Sequence, residues 1–223
     1  MPDAVPAAGR MHAGDRRRQL LEAALDLFSR KGFGGATTRE VAAAAGVTEA
    51  IIFRHFPSKQ ALYTAVLDSY AESCGHEEWL ADIQAHMDRD DDAGVLRTLA
   101  AKILESYRTG ARIERILLFA ALEGHDLGLA HHRKFALPVF ELFREYIARR
   151  QREGALRAYQ PGIVIAAISG MAQTYAIYTE LFGFKPLRVD DSEVLDGFTD
   201  IIMRGIRQGK LSKKPLHKKR NRR

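Results

Sequence analysis

The chain of 223 residues contains one cysteine, Cys74, and one tryptophan. A single thiol excludes an internal disulfide framework and leaves too few sulfur ligands for a cysteine zinc site, so Cys74 reads as a small buried apolar residue. Long apolar runs are also missing. The segment IVIAAISGMA at 163 to 172 is too short to cross a bilayer, and the N-terminal residues lack the apolar core of a signal peptide. A soluble, cytoplasmic protein with no membrane partner is expected. There is no glycine-rich phosphate loop behind a strand, no nucleophile elbow and no recognisable pair of catalytic acids, so an enzyme reading has no residues to stand on and no cofactor is expected. His125, Asp126, His131 and His132 lack the HExxH spacing of a metal-binding helix, and adjacent His131 and His132 fall on different helix faces. They read as a solvated helix start, as do His76, Glu77 and Glu78, and no metal is expected.

Acid is absent from the C-terminal end. Residues 210 to 223 carry eight Lys or Arg and no Asp or Glu, whereas the whole chain nets +6, so the other 209 residues are slightly acidic. Within them, residues 1 to 60 hold nine basic and six acidic side chains. The positive field therefore sits at both ends, which favours a polyanionic partner and a salt-sensitive contribution to binding it. Strand-like alternation is absent throughout, and 46% apolar residues suffice for a core. The chain is predicted to be all-α.

Its organisation follows from caps, breakers and helical periodicity. Residues 1 to 14 have no period and read as a flexible arm. A first helix is expected from about Asp15 to Lys31, with Leu20, Leu21, Ala24, Leu25 and Phe28 inward and Gly32 ending it. Thr37 followed by Glu40 is a capping box that opens a second helix at Thr38, carrying Val41, Ala42 and Ala45 on one face. Gly46 then supplies the turn, because only glycine enters the left-handed region without a Cβ penalty. Thr48 is expected to cap a third helix, whose Ile51 and Ile52 pack back on Ala42. After Pro57-Ser58 a fourth helix is expected, with Ala61, Leu62, Ala65 and Val66 inward and a continuation toward Cys74. The acidic run Asp88 to Asp92 reads as a loop. Helical patterns follow at about 93 to 109, 111 to 123, 128 to 153, 161 to 183 and 192 to 208. This gives a three-helix unit at 15 to 60, a helical domain at 61 to 209 and a basic tail at 210 to 223.

The stretch GFGGATTREVAAAAGVTEAIIFRHFPSKQALYTAVL, residues 32 to 67, with RRRQLLEAALDLFSRKG before it, resembles the DNA-binding domain of the tetracycline-repressor (TetR) family of bacterial transcriptional regulators. The glycine pair before the capped threonine, Gly46 in the turn, His55-Phe56 and Ser58-Lys59 carry the likeness. It implies an N-terminal three-helix, helix-turn-helix DNA-binding domain followed by a helical ligand-binding and dimerisation domain. The expected partners are a double-stranded operator, a small-molecule effector and a second copy of the chain. Candidate DNA contacts are Thr37, Thr38, Arg39, Thr48, Glu49, Ala50, Phe53, Arg54, His55 and Lys59. Thr37 and Thr38 open a helix and double as caps, Lys59 matches the family's phosphate-contacting lysine, and Arg54 reaches a phosphate or a guanine. Two positions depart from the family pattern. Phe53 stands where a tyrosine hydroxyl commonly meets a phosphate, and Glu49 puts a carboxylate beside DNA, where it accepts from a cytosine or repels phosphate.

Residues 163 to 182 are apolar almost all round, and Val194, Leu195, Phe198, Ile201, Ile202 and Ile206 form a stripe on the final helix. The resemblance implies that these last two long helices build a four-helix bundle with a second subunit, and hence a palindromic operator. Burial within one chain is the competing account of the same pattern. Effector candidates are Tyr107, Phe119, His125, Phe140, Phe143, Met171, Tyr175 and Tyr178, with plain core packing the ordinary role for most of them. No buried charge cluster stands out, so an apolar or aromatic effector is expected. A second reading stays open: a helical small-molecule binding protein whose N-terminal segment has lost sequence-specific DNA recognition. Phe53 and Glu49 favour it; the caps, Gly46 and Lys59 favour the regulator.

Overall fold

The structure, a computed structural model, describes residues 13–73, 75–124, 126–185 and 187–208. Cys74, His125, most of the N-terminal arm and the basic tail lie outside the described residues. Helix α1 (Ala13–Gly35) buries Leu20, Leu21, Ala24 and Phe28, and Gly32 breaks its dihedral pattern at φ 69°, ψ −178°. Helix α2 (Thr38–Ala44) opens on the expected capping box: the Thr37 side chain accepts from the Glu40 N–H while Glu40 accepts from the Thr37 N–H. Gly46, at φ 62°, lets the chain turn, and the Val47 N–H closes the turn on the Ala42 carbonyl at 2.9 Å. Helix α3 (Glu49–His55) follows. Thr48 sits at its cap position, but its hydroxyl makes no cap hydrogen bond; its carbonyl accepts from Ile51 N–H instead. Ile52 is fully buried, whereas Ile51 is only partly so.

Helix α4 (Lys59–Ser73) starts with the Ser58 hydroxyl accepting from Ala61 N–H. Its inward face is Leu62, Tyr63, Val66 and Leu67, so the expected Ala61 and Ala65 are only half-buried flanks. The largest correction comes next. Helix α5 (His76–Asp88), which the sequence reading passes over, forms after Gly75 turns the chain at φ 60°. Trp79, Ile83 and Met87, one turn apart, dock it on the main core. Only Arg89 to Asp91 remain as the acidic loop, and Asp91 caps α6 (Asp92–Leu122) by accepting from Gly94 N–H. That single helix joins two expected ones across a bend at Gly110, where φ is −124° and ψ 27°.

Helix α7 (Asp126–Arg152) and α8 (Pro161–Ala176) follow, the latter running into a π-helical turn (Ile177–Leu181), and α9 (Asp191–Ile206) ends the described chain. No strand occurs among the described residues, only one isolated antiparallel bridge between Leu156 and Arg207. The segment Pro161–Leu181 spans 21 residues, long and apolar enough to cross a membrane by composition alone, although the shorter run inside it is not. Its Val164, Ile165, Ile168, Ala172 and Ala176 are instead buried against neighbouring helices.

Three apolar clusters hold the helices. The first joins α1 to α4 with Ile113 and Ile116 of α6; the second joins α5, the first half of α6, and α7, α8 and α9; the third is small, with Leu104, Tyr107, Tyr175, Ala176 and Val194. Helix α6 contributes to all three. At the far end of the second cluster, Asp92 is clasped by Arg150 at 2.8 Å and by the Tyr146 hydroxyl at 2.7 Å.

Candidate functional site

The N-terminal candidates converge. Thr37, Arg39, Thr48, Ala50, Phe53 and Arg54 are exposed, and Thr38, Glu49, His55 and Lys59 partly so, along the start of α2, the outer face of α3 and the start of α4. Arg39 and Arg54 form no ion pair among the described residues, so two cations stand free on this face. Lys59 sits with its ammonium 4.4 Å from the centre of the Phe33 ring, which fixes its direction without neutralising it. His55 lies beside Phe56, with ring centroids 6.3 Å apart. The Phe53 ring stands 48% exposed, an apolar side chain offered to solvent.

Glu49 has a role that the sequence does not reveal. Its carboxylate accepts from the Thr38 hydroxyl, tying the first turn of α3 to the first turn of α2. Glu40 is likewise committed: Lys31 at 2.6 Å and the Thr37 N–H and hydroxyl bond it, which holds its carboxyl far below the usual range, at about 2. Two residues missed by the sequence reading brace the same head. Arg17 lies 5.0 Å over the Phe56 ring, and Gln19 donates to the Ala45 carbonyl at 3.1 Å. The arginine triplet at 16 to 18 was the available signal for the first of these.

The head is fastened to the rest of the chain through α6. Arg115 donates to the Ser29 carbonyl at 3.0 Å, Arg112 pairs with Glu22 at 2.6 Å, and Glu123 accepts from Gly34 N–H at 3.3 Å. Tyr63 donates to the Ile116 carbonyl, and burial near the Glu123 charge pushes its hydroxyl up to about 12. Lys134 of α7 pairs with Asp68 of α4 at 2.8 Å.

The effector candidates disperse. Phe143 is fully buried in the second cluster, stacked 6.3 Å from Trp79, and Phe140 packs on the same cluster; both are core. Phe119 faces the end of α1, 3.3 Å from the position a Gly32 Cβ would take. Tyr178 is 44% exposed and joins Phe182 and Phe184 on the outer surface, Met171 is partly buried, and His125 is outside the described residues. Two surface clefts, one between α5 and α7 and one between α1 and α4, are lined by none of these eight residues.

Only Tyr107 and Tyr175 come together, in the third cluster. Tyr107 accepts from Gln173 at 3.2 Å, and Tyr175 donates to Asp191 at 2.9 Å. Near Tyr107 lies a group that the sequence reading missed. Glu114, one turn beyond Gly110, is mostly buried; desolvation raises its carboxyl above the usual range, and no cation pairs with it among the described residues. The signal was an acid on the face shared with Tyr107, seven residues earlier. Among the described residues no cluster of ligating side chains suits a metal ion.

A reading helix set on a three-helix head, with a larger helical body behind it, defines a helix-turn-helix regulator. Residues 20–66 match the model for bacterial regulatory proteins of the tetR family. The transcriptional regulator RutR of Escherichia coli is 27% identical over 197 residues, covering 86% of this chain and 91% of RutR. The nucleoid occlusion factor SlmA of Marinobacter nauticus is 31% identical over 143 residues, covering 64% of this chain and 69% of SlmA. A TetR-family regulator from Mesorhizobium loti superposes with a TM-score of 0.61 at 17% identity, over 89% of this chain and all of that one. The chain belongs to the tetR family and is a DNA-binding transcriptional regulator.

Proposed function

We propose that the protein is a ligand-responsive repressor that binds a palindromic operator as a homodimer and leaves it when a small effector fills the helical body. The carrying observation is the exposed face of α2, α3 and the start of α4, where Arg39 and Arg54 have no ion pair among the described residues and Lys59 is held in place over Phe33. Thr37, Thr38, Thr48, Ala50, Phe53 and His55 complete that face, and Glu49 orients it through Thr38. Phosphate contacts set the register and Arg54 reads a base edge.

A second copy fits the outer stripe of α8 and α9. Ile163 and Ile201 are each 61% exposed, and Gly170, Gly197 and Gly205 present open backbone with nothing within 4 Å of a would-be Cβ. Large exposed apolar side chains beside small residues are the surface that a close helix–helix interface requires. A two-fold pair presents two heads, so the effector acts by preferring a spacing that DNA disfavours, and DNA weakens the effector by the same factor. On this reading the protein acts in the cytoplasm, with its operator.

The test is selection of bound duplexes from a random pool at physiological salt, repeated with Arg54→Ala/Lys59→Ala. The proposal expects an enriched palindrome for the unaltered chain and none for the double variant, which stays a folded dimer by circular dichroism and sedimentation. An unenriched pool from a folded dimer favours the helical small-molecule binding protein instead.

A further inference from the structure

Helix α3 presents an unusually apolar surface for a helix that faces DNA. Its exposed residues are Ala50, Phe53 and Arg54, which stand three and four apart and so share one face. Two of the three are apolar. Phe53 is 48% exposed, belongs to none of the three apolar clusters and pairs with no other ring among the described residues, so the fold does not depend on it.

Recognition by hydrogen bonds is almost closed to this helix. It has no Asn or Gln for the paired contact to adenine, and Glu49, the acid able to accept from a cytosine amine, is engaged by the Thr38 hydroxyl. The Thr48 hydroxyl, free of a cap bond, suits any base and separates none, and His55 is half-buried beside Phe56. Arg54 can select guanine through O6 and N7. What is left for Ala50 and Phe53 is the one apolar group that a base edge shows in the major groove, the C5-methyl of thymine.

We propose that α3 reads thymine methyl groups through Ala50 and Phe53, beside a guanine held by Arg54. This rests on the DNA-binding reading above and names what that face recognises. The seven residues of α3 span about 10 Å, or about three base-pair steps. The thymines and the guanine therefore fall within about three consecutive pairs of each half-site. Seating a methyl on the Phe53 ring removes apolar surface of both partners from water, and with no hydroxyl on that ring nothing draws it to a phosphate instead.

The test begins with selection from synthetic duplexes, which carry no 5-methylcytosine, so that an enriched methyl is thymine's. Each selected thymine is then replaced by deoxyuridine, which lacks only the methyl. Dissociation constants are measured at low salt, where phosphate contacts keep weakened forms bound. Wild type is expected to lose about fourfold for the methyl at one position of a half-site, and about fifteenfold when both half-sites are changed. Phe53→Ala is expected to bind the thymine and uracil forms alike at that position, whereas Arg54→Ala is expected to keep the methyl preference and lose the guanine. A wild type indifferent to every uracil substitution, or a preference that survives undiminished in Phe53→Ala, overturns the proposal. The regulator reading fails separately: an enriched palindrome without methyl sensitivity leaves it standing, and an unenriched pool removes both.

Discussion

Gly32→Ala tests how the reading head is held. Gly32 adopts φ 69°, ψ −178°, a region open to glycine and strained for any other residue, and a Cβ there would collide with the Glu123 carboxylate and come within 3.3 Å of Phe119. The backbone part alone costs about 1–3 kcal/mol. Pushing Glu123 aside also weakens its bond to Gly34 N–H, adding about 1 kcal/mol for a charge-assisted contact that is partly solvated. Gly34→Ala is the control, since its Cβ would stand an ordinary 3.7 Å from Glu123 and its φ needs no glycine. Urea denaturation at fixed protein concentration, followed by far-ultraviolet circular dichroism, should show a clear loss for Gly32→Ala and almost none for Gly34→Ala. Adding Glu123→Ala separates the two parts: the cost of Gly32→Ala should fall toward its backbone share once the carboxylate is gone. If Gly32→Ala is as stable as wild type, or if its cost is the same with and without Glu123, the head is not held as described.

Asp92→Ala removes a carboxylate that is only 12% exposed and holds both Arg150 and Tyr146. Arg150 keeps Asp90 and Glu153, so the expected loss is about 2–3 kcal/mol, below that of a fully orphaned buried pair. Glu114 carries a raised carboxyl pKa, so its contribution to stability is present at low pH and is lost as pH rises through the folded value. Melting curves of Glu114→Gln against wild type should therefore diverge with increasing pH, the variant gaining; parallel curves would show the acid to be solvated. Ile201→Asp puts a charge on the outer stripe of α9 and should yield a folded monomer in sedimentation, with half-site binding alone.

The head was legible because its signals are local. A capping box and a turn glycine each act within four residues, and the structure keeps both. Helix α5 escaped because its apolar positions, Trp79, Ile83 and Met87, make one narrow stripe among acids and amides. The bend at Gly110 looked like an end because a glycine reads the same at a stop and at a kink. Thr48 failed as a side-chain cap although its type and place were right, since a cap preference is a tendency and the backbone alone can open a helix. The effector candidates share only a ring or a thioether on a helical face, and most of them are packing or outer surface. What sets Tyr107 apart, its bond from Gln173 of α8, arises only when distant helices meet. The same holds for Glu49 on Thr38 and for Glu123 under Gly34, 89 positions apart in the chain.

Helix α6 is a lever as well as a wall. From Gly110 to its end lies roughly 18 Å of rigid helix, and that arm carries Ile113, Arg115 and Ile116 against the reading head. Each degree of bend at the glycine moves its tip by about 0.3 Å, so a change too small to disturb the packing on either side travels into the position of the reading head. The resting angle of one residue thereby becomes a dial. Substitution at position 110, whose Cβ would meet the Tyr70 phenol, shifts that angle and with it the set of the head, far from any residue that faces DNA.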